Sequence, residues 1–226
     1  MLLITYLKDI KMKFKKERKE IVKFAKLMSK EGLSPGTSGN ISIYKPEEKL
    51  VLITPSGLSY DKLKKRHIVL MDLDGNVVEG KLKPSSEYLL HTYIYKNKID
   101  ARALVHTHSV FATAMSVLRE PIKPVHYVIA DANAYEIPCA PYKRYGTEDL
   151  ARVALETIGD SKALLLANHG MLAYDESLEK AYSLAKEVEY IAEIQYRARA
   201  MGEPVLLTKE ELDQVSQAFK SYGQVK

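Results

Sequence analysis

Apolar residues recur at helical spacing in Ile21, Val22, Phe24, Ala25, Leu27 and Met28, opposite the charged run KMKFKKERKE at 11–20. This predicts an amphipathic helix from Lys13 to Lys30 that stops at Gly32. NISIY (40–44) and KLVLIT (49–54) read as a strand pair around the polar turn KPEE. HIVLMDLDGNVVEG (67–80) reads as two strands around Asp74-Gly75, the strongest short hairpin signal in the chain. SSEYLLHTYIYKN (85–97) predicts a helix with Leu89, Leu90, Tyr93 and Ile94 inward. ARALVHT (101–107) predicts a strand, and SVFATAMSVL (109–118) a helix capped by Ser109. KALLLANHGMLAY (162–174) predicts two short strands broken at Asn168-His169-Gly170. Glu176 to Ala200 reads as a long helix with Leu178, Ala181, Ala185, Val188 and Ala192 on one stripe, and a last helix covers Lys209 to Lys220. Helices mixed with hairpin-linked strands, without repeats or low-complexity stretches, predict one α/β domain: a mixed, largely antiparallel sheet covered by helices.

Composition narrows the function classes. Of the 226 residues 46% are apolar, enough for a core, yet no run approaches the length of a membrane helix. The start, MLLITYLKDIKMKF, lacks a small-residue cleavage site and does not read as a signal peptide. The lone cysteine, Cys139, excludes an internal disulfide framework and fits a reducing cytoplasm. The net charge is +5, and its densest positive stretch forms the wet side of the first helix. Without aromatic-basic interleaving, it does not read as a nucleic-acid surface.

The chemistry begins with the histidines. Strand residues two apart share a face, about 6.6 Å apart at Cα, so His106 and His108 can converge on one ion where a strand ends and a helix begins. Taken alone this pair is a weak signal. His169 strengthens it, because it sits in a tight break between two apolar segments, where side chains point into a cleft. Three convergent imidazoles with an open fourth position is the catalytic zinc pattern. His67 and His91 have no such context and read as structural, and His126 is left open as a neighbour of the site.

Three turns rich in small residues follow: GTSGN (36–40), TPSGL (54–58) and KPSSE (83–87). Singly, each reads as a turn or a cap. Together they allow backbone amides to approach an anion, with hydroxyls from Ser56, Ser85 and Ser86 and a helix N-terminus at Ser86. None is a nucleotide fingerprint, so a small phosphate ester is expected. Glu87 either compensates the helix dipole or serves as a general base beside the metal.

GTSGNIS, ITPSGLSYDKL, VVEGKLKPSSE, VHTHS, VHYVIA, IPCAPYKRYGT and ANHGML, in that order, resemble the class II aldolase/adducin family, nearest to its members that cleave L-fuculose 1-phosphate. The resemblance runs from Glu17 to Gly223 and leaves residues 1–12 as an N-terminal extension of a domain spanning 1–226. It implies a three-layer α/β/α fold and a zinc-dependent aldolase that yields dihydroxyacetone phosphate and L-lactaldehyde. It implies one Zn2+ per subunit on His106, His108 and His169, with Glu87 as acid/base that also ligates the ion until substrate displaces it. Phosphate would lie against Gly39, Asn40, Ser56, Gly57, Ser85 and Ser86. Tyr127 matches a tyrosine lent to the neighbouring subunit's site in a cyclic homotetramer, and Tyr222 one that closes the site. Tyr145 stands where bacterial members have Phe, and Ser56 where they have Thr. The partner implied is a small phosphorylated sugar, with no nucleic acid and no membrane. Pentose-phosphate 4-epimerases of the L-ribulose-5-phosphate type share the metal and phosphate residues but carry Asp at the place of Glu87. Methylthioribulose-phosphate dehydratases are further relatives. A non-enzymatic adducin-like head is expected to lack the metal histidines.

Overall fold

The computed structural model describes residues 12–219 and residue 221. All but the last of the predicted N-terminal extension, and Tyr222, lie outside the described residues. Eight strands form one sheet: β1 (Asn40–Lys45), β2 (Leu50–Ile53), β3 (Val69–Asp72), β4 (Val77–Glu79), β5 (Ala103–Thr107), β6 (Cys139–Ala140), β7 (Ala163–Leu166) and β8 (Gly170–Asp175). Their spatial order is β4-β3-β2-β1-β5-β8-β7-β6. Each neighbouring pair is antiparallel except β6 with β7, which is parallel. The expected mixed, largely antiparallel sheet is therefore present.

Among the described residues there are six α-helices: α1 (Lys15–Lys30), α2 (Tyr88–Asn97), α3 (Val110–Leu118), α4 (Glu148–Ile158), α5 (Leu178–Met201) and α6 (Lys209–Phe219). Successive strand side chains point to opposite faces, and the core divides accordingly. Ile41, Leu52, Leu70, Val105 and Met171 pack with Ile21 and Met28 of α1, Met115 of α3 and Val188 of α5. Val51, Ile53, Val69, Leu104 and Leu172 pack with Leu90 and Ile94 of α2 and Ala154 of α4. No helix among the described residues is long and apolar enough to cross a membrane.

Local chemistry corrects some details. Helix α2 starts at Tyr88 with Glu87 as its N-cap, not at Ser86, because the Ser85 hydroxyl accepts the Glu87 amide at 3.2 Å. Leu90 and Ile94 are buried, but Leu89 and Tyr93 are only half-buried, with the Tyr93 hydroxyl donating to Glu148 of α4. Ser109 occupies the cap position of α3, yet its side chain makes no cap bond. The Glu189 carboxylate on α5 instead accepts the Phe111 and Ala112 amides at 2.9 and 2.8 Å. An anion at a helix N-terminus is favourable, so this contact both caps α3 and ties it to α5. Helix α4 was not anticipated, although Thr147 accepts the Leu150 amide at 3.3 Å in a standard cap.

Candidate metal centre

Four side chains from three parts of the chain meet at one end of the sheet. His106 is near the end of β5, His108 just past it, His169 in the turn from β7 to β8, and Glu87 caps α2. One ligand atom from each lies within 4.8 Å of every other. His106 Nε2 is 3.0 Å from His108 Nε2 and 3.3 Å from Glu87 Oε2, and His169 Nε2 is 3.2 Å from Glu87 Oε1. His106 and Glu87 are 0% and 7% exposed.

Close backbone packing sets these positions. Asn40 of β1 lies opposite His106 of β5. Gly39, with φ 72°, lets the preceding turn approach: a Cβ there would come within 2.7 Å of the His106 carbonyl and 2.3 Å of the Ser34 hydroxyl. At Gly170 a Cβ would fall 2.3 Å from the Thr107 carbonyl. A larger residue at either place would push the histidine strands apart. Asn168, with φ 54°, turns the chain ahead of His169, and Arg119 Nε donates to its Oδ1 at 3.0 Å.

Hydrogen bonds fix the ring states. His106 Nδ1 donates to the Met171 carbonyl at 2.8 Å, leaving a lone pair on Nε2 in the neutral ring. A second chain of bonds holds Glu87. Tyr95 donates to Ser42 Oγ at 2.6 Å, and Ser42 donates to His91 Nδ1 at 2.6 Å. His91 Nε2 donates to Asn40 Oδ1, and Asn40 Nδ2 donates to Glu87 Oε2 at 3.0 Å. His91, expected to have no context at the site, is buried and bonded to the Asn40 that holds Glu87. Its reach to Glu87 through Asn40 was not anticipated, although it stands one helical turn after Glu87 and so shares its face.

The charges agree with ligand duty. Burial opposes ionisation of Glu87, but His106 and His169 more than offset it and hold the carboxyl well below the usual carboxylate range. Burial, reinforced by His106 and His169, pushes His108 down to about 3, so its ring is neutral at pH 7. Burial lowers the proton affinity of His106, but Glu87 and the Met171 carbonyl outweigh it and raise it. Glu87 Oε1 is buried and receives no hydrogen bond among the described residues. Three imidazole nitrogens and an ionised carboxylate crowded this closely are favourable only with a positive charge among them, a proton or a cation. The donor set therefore fits a divalent metal.

Of the sequence-predicted phosphate residues, Asn40 donates to the Glu87 carboxylate and Ser85 accepts the Glu87 amide. The turns at 54–57 and 83–86 are bridged, with the Ser56 amide donating to the Lys83 carbonyl at 3.1 Å and the Ser85 amide to the Thr54 carbonyl at 3.0 Å. Ser56, Gly57 and Ser86 are exposed, while Gly39, Asn40 and Ser85 are buried. A cleft of about 310 Å³ opens over the tetrad, lined by Glu87, His108, Tyr142, Lys143, Tyr145, Asn168 and His169. Tyr145 thus reaches the site, whereas Tyr127, 51% exposed, does not line it. Tyr142 and Lys143 were not singled out in the sequence, since nothing in PYKRYGT separates a wall residue from a loop residue.

The family described as Class II Aldolase and Adducin N-terminal domain matches residues 19–196. The chain is 44% identical over 213 residues to a 5-deoxy-D-ribulose 1-phosphate aldolase of Bacillus thuringiensis serovar kurstaki, covering 94% of this chain and 100% of that protein. It is 41% identical over 213 residues to an L-fuculose phosphate aldolase of Escherichia coli strain K12, covering 94% and 98%. A solved structure of an L-fuculose 1-phosphate aldolase superposes with a TM-score of 0.88 at 40% identity, covering 91% of this chain and 96% of that one.

Proposed function

The chain belongs to the class II aldolase and adducin family, and from that membership and the geometry of the tetrad we propose a metal-dependent lyase that cleaves a ketose 1-phosphate into dihydroxyacetone phosphate and a short aldehyde. The observation that carries this reading is the convergence of Glu87, His106, His108 and His169 within 4.8 Å beneath an open cleft. Three imidazoles and a carboxylate suit zinc, one ion per subunit. When bound, the ion supplies Lewis-acid stabilisation of the negative charge that develops as the carbon–carbon bond breaks.

The remaining work falls to side chains. Glu87 rests ionised; in cleavage it takes up a proton from solvent and delivers it to the carbon left by C3–C4 cleavage, and in the synthetic direction the carboxylate removes that proton. The Asn40–His91 chain holds one Glu87 oxygen, and the other faces His169 Nε2 at 3.2 Å. The 1-phosphate rests against Gly39, Asn40, Ser56, Gly57, Ser85 and Ser86, where hydroxyls and the amides not used in the bridge donate to it. Tyr145 shapes the aldehyde end. Tyr127 takes and returns the proton on the C4 oxygen. Its exposure, and its absence from its own chain's cleft, support a place in the site of the next subunit of a cyclic homotetramer. No lysine Schiff base is involved, so borohydride traps no substrate adduct.

L-Fuculose 1-phosphate, with L-lactaldehyde as product, is the leading substrate. The 44% identity to a 5-deoxy-D-ribulose 1-phosphate aldolase favours a second reading, in which a two-carbon aldehyde is released. Offering the purified protein dihydroxyacetone phosphate with L-lactaldehyde, D-lactaldehyde and acetaldehyde separates them. The aldolase reading predicts condensation with at least one aldehyde, and the first substrate reading predicts the highest kcat/KM with L-lactaldehyde. Failure of all three with metal-loaded protein would reject the aldolase reading.

A further inference from the structure

Tyr127 opens a six-residue 3₁₀ helix, Tyr127–Ala132. Such helices have poor internal bond geometry and rely on their ends and neighbours. The residue before it, His126, supplies both. In an extended conformation, His126 turns its ring so that Nδ1 accepts the Val128 amide at 3.3 Å. That bond fixes the ring, and the ring in turn flanks Tyr127. The two centroids are 4.6 Å apart with planes 31° from parallel. On another side, the His126 ring meets Tyr190 of α5 edge to face, 5.4 Å away at 85°. Phe219 of α6 approaches Tyr127 at 6.3 Å. A half-exposed tyrosine would ordinarily move among several rotamers. Here its ring leans on an imidazole that is itself tied to the backbone and to the longest helix.

We propose that His126 is a positioning residue for Tyr127: its capped, neutral ring holds the phenol in the orientation that reaches the reacting oxygen. The inference rests on the catalytic part assigned above to Tyr127. The acceptor bond at Nδ1 requires a lone pair there, so the proton of the neutral ring is on Nε2. Burial also lowers this histidine's affinity for a proton, which keeps the cap intact near neutral pH. Cap and stack are separable functions. Asn at 126 keeps an acceptor for the Val128 amide but no ring, whereas Phe keeps a ring but no acceptor.

The test is a double-mutant cycle on the metal-loaded enzyme with saturating ketose 1-phosphate. His126→Ala lowers kcat about tenfold, the scale of a misplaced catalytic group, while KM stays within about twofold because no substrate-binding group has been removed. His126→Asn and His126→Phe each give intermediate losses and guard against misfolding of the alanine variant. In a Tyr127→Phe background, the same substitutions change kcat by less than about twofold, because the group being positioned is gone. If the two losses multiply, or if KM rises with kcat unchanged, His126 acts by another route and the inference is wrong. If Tyr127→Phe alone retains the wild-type rate, the role of Tyr127 fails first, and that outcome is distinct from the multiplicative one.

Discussion

Glu87 and His106 are 7% and 0% exposed, whereas Tyr127 and Tyr145 are 51% and 62% exposed. The first pair is held by strand register, by the Met171 carbonyl and by the Asn40–His91–Ser42–Tyr95 chain. The tyrosines are held by little more than a neighbouring ring or loop. Both groups belong to the same proposed reaction, so the difference divides the labour. The ligand centre is complete and rigid within one chain. The rim proposed to meet the aldehyde is exposed, and on the proposed reading its cover comes from substrate and from another copy of the chain.

The ways to break that contrast can be ranked by expected size. The largest concerns Glu87. Glu87→Gln keeps the shape and removes the base, so exchange of the labelled proton of dihydroxyacetone phosphate with water should drop by about 10²–10⁴. Unchanged exchange would move the base elsewhere. Next is the layer behind it. His91→Phe fills a similar volume but leaves Asn40 without its donor, and metal affinity should fall by about 10–100-fold, as measured by competition with a chelator. The same variant sharpens the argument through pH. Burial, with the nearby charge of His106 adding to it, pushes His91 down to about 3 in the fold. An unfolded histidine takes up its proton near pH 6.5, so the unfolded state binds more protons between those values. This group's contribution to stability is therefore lost as pH falls from about 6.5 toward 3. Denaturant unfolding should show a shallower acid slope in His91→Phe than in wild type, and identical slopes would count against a buried neutral imidazole.

The rim is broken by mixing. If the proposed tetramer forms, Glu87→Gln and Tyr127→Phe assemblies should each be nearly inactive. After dissociation, equal mixing and reassembly, about one quarter of wild-type activity should return if each site takes its glutamate from one chain and its tyrosine from the next. With subunit exchange shown by native mass spectrometry, a mixture that stays inactive means that Tyr127 does not serve a neighbour's site. The smallest effect is expected at Tyr145. Tyr145→Phe removes only an exposed hydroxyl, so kcat/KM should stay within about threefold for one aldehyde while the ratio between aldehydes shifts, a difference well under the scale of a lost base. A loss of 10²-fold or more would make it a catalytic group.

The sequence carried the buried region better than the rim. His106, His108 and His169 were legible because a strand period of two and a tight break between apolar runs point side chains in known directions. β5 falls within the segment predicted from its apolar run, and β8 overruns its segment by one residue, Asp175. Helix α4 was also legible in principle, with Thr147 before two acids and Leu150, Ala151, Ala154 and Ile158 at helical spacing, but it was passed over. β6 has two residues and leaves no periodicity to read. Ser109 holds the cap position of α3 as expected, but the acceptor of the free amides, Glu189, lies far along the chain on α5 and had no local signature. The Asn40–His91 chain was invisible for the same reason: a hydrogen bond between residues 51 positions apart has no local signature. Loop walls such as Tyr142 and Lys143 depend on how the 142–146 segment seats against Ser86, where a Cβ at Gly146 would come within 2.9 Å of the Ser86 carbonyl.

The central claim is that the tetrad holds a divalent metal without which the carbon–carbon bond is not broken. Its most direct test is to measure metal content and ketose 1-phosphate cleavage together in wild type and in His169→Ala, before and after exhaustive chelation and again after zinc is restored. The account predicts one ion per chain in wild type, parallel loss of ion and activity on chelation, recovery of both with zinc, and neither in His169→Ala at the same zinc concentration. Full cleavage by wild-type protein shown to be free of metal would contradict it.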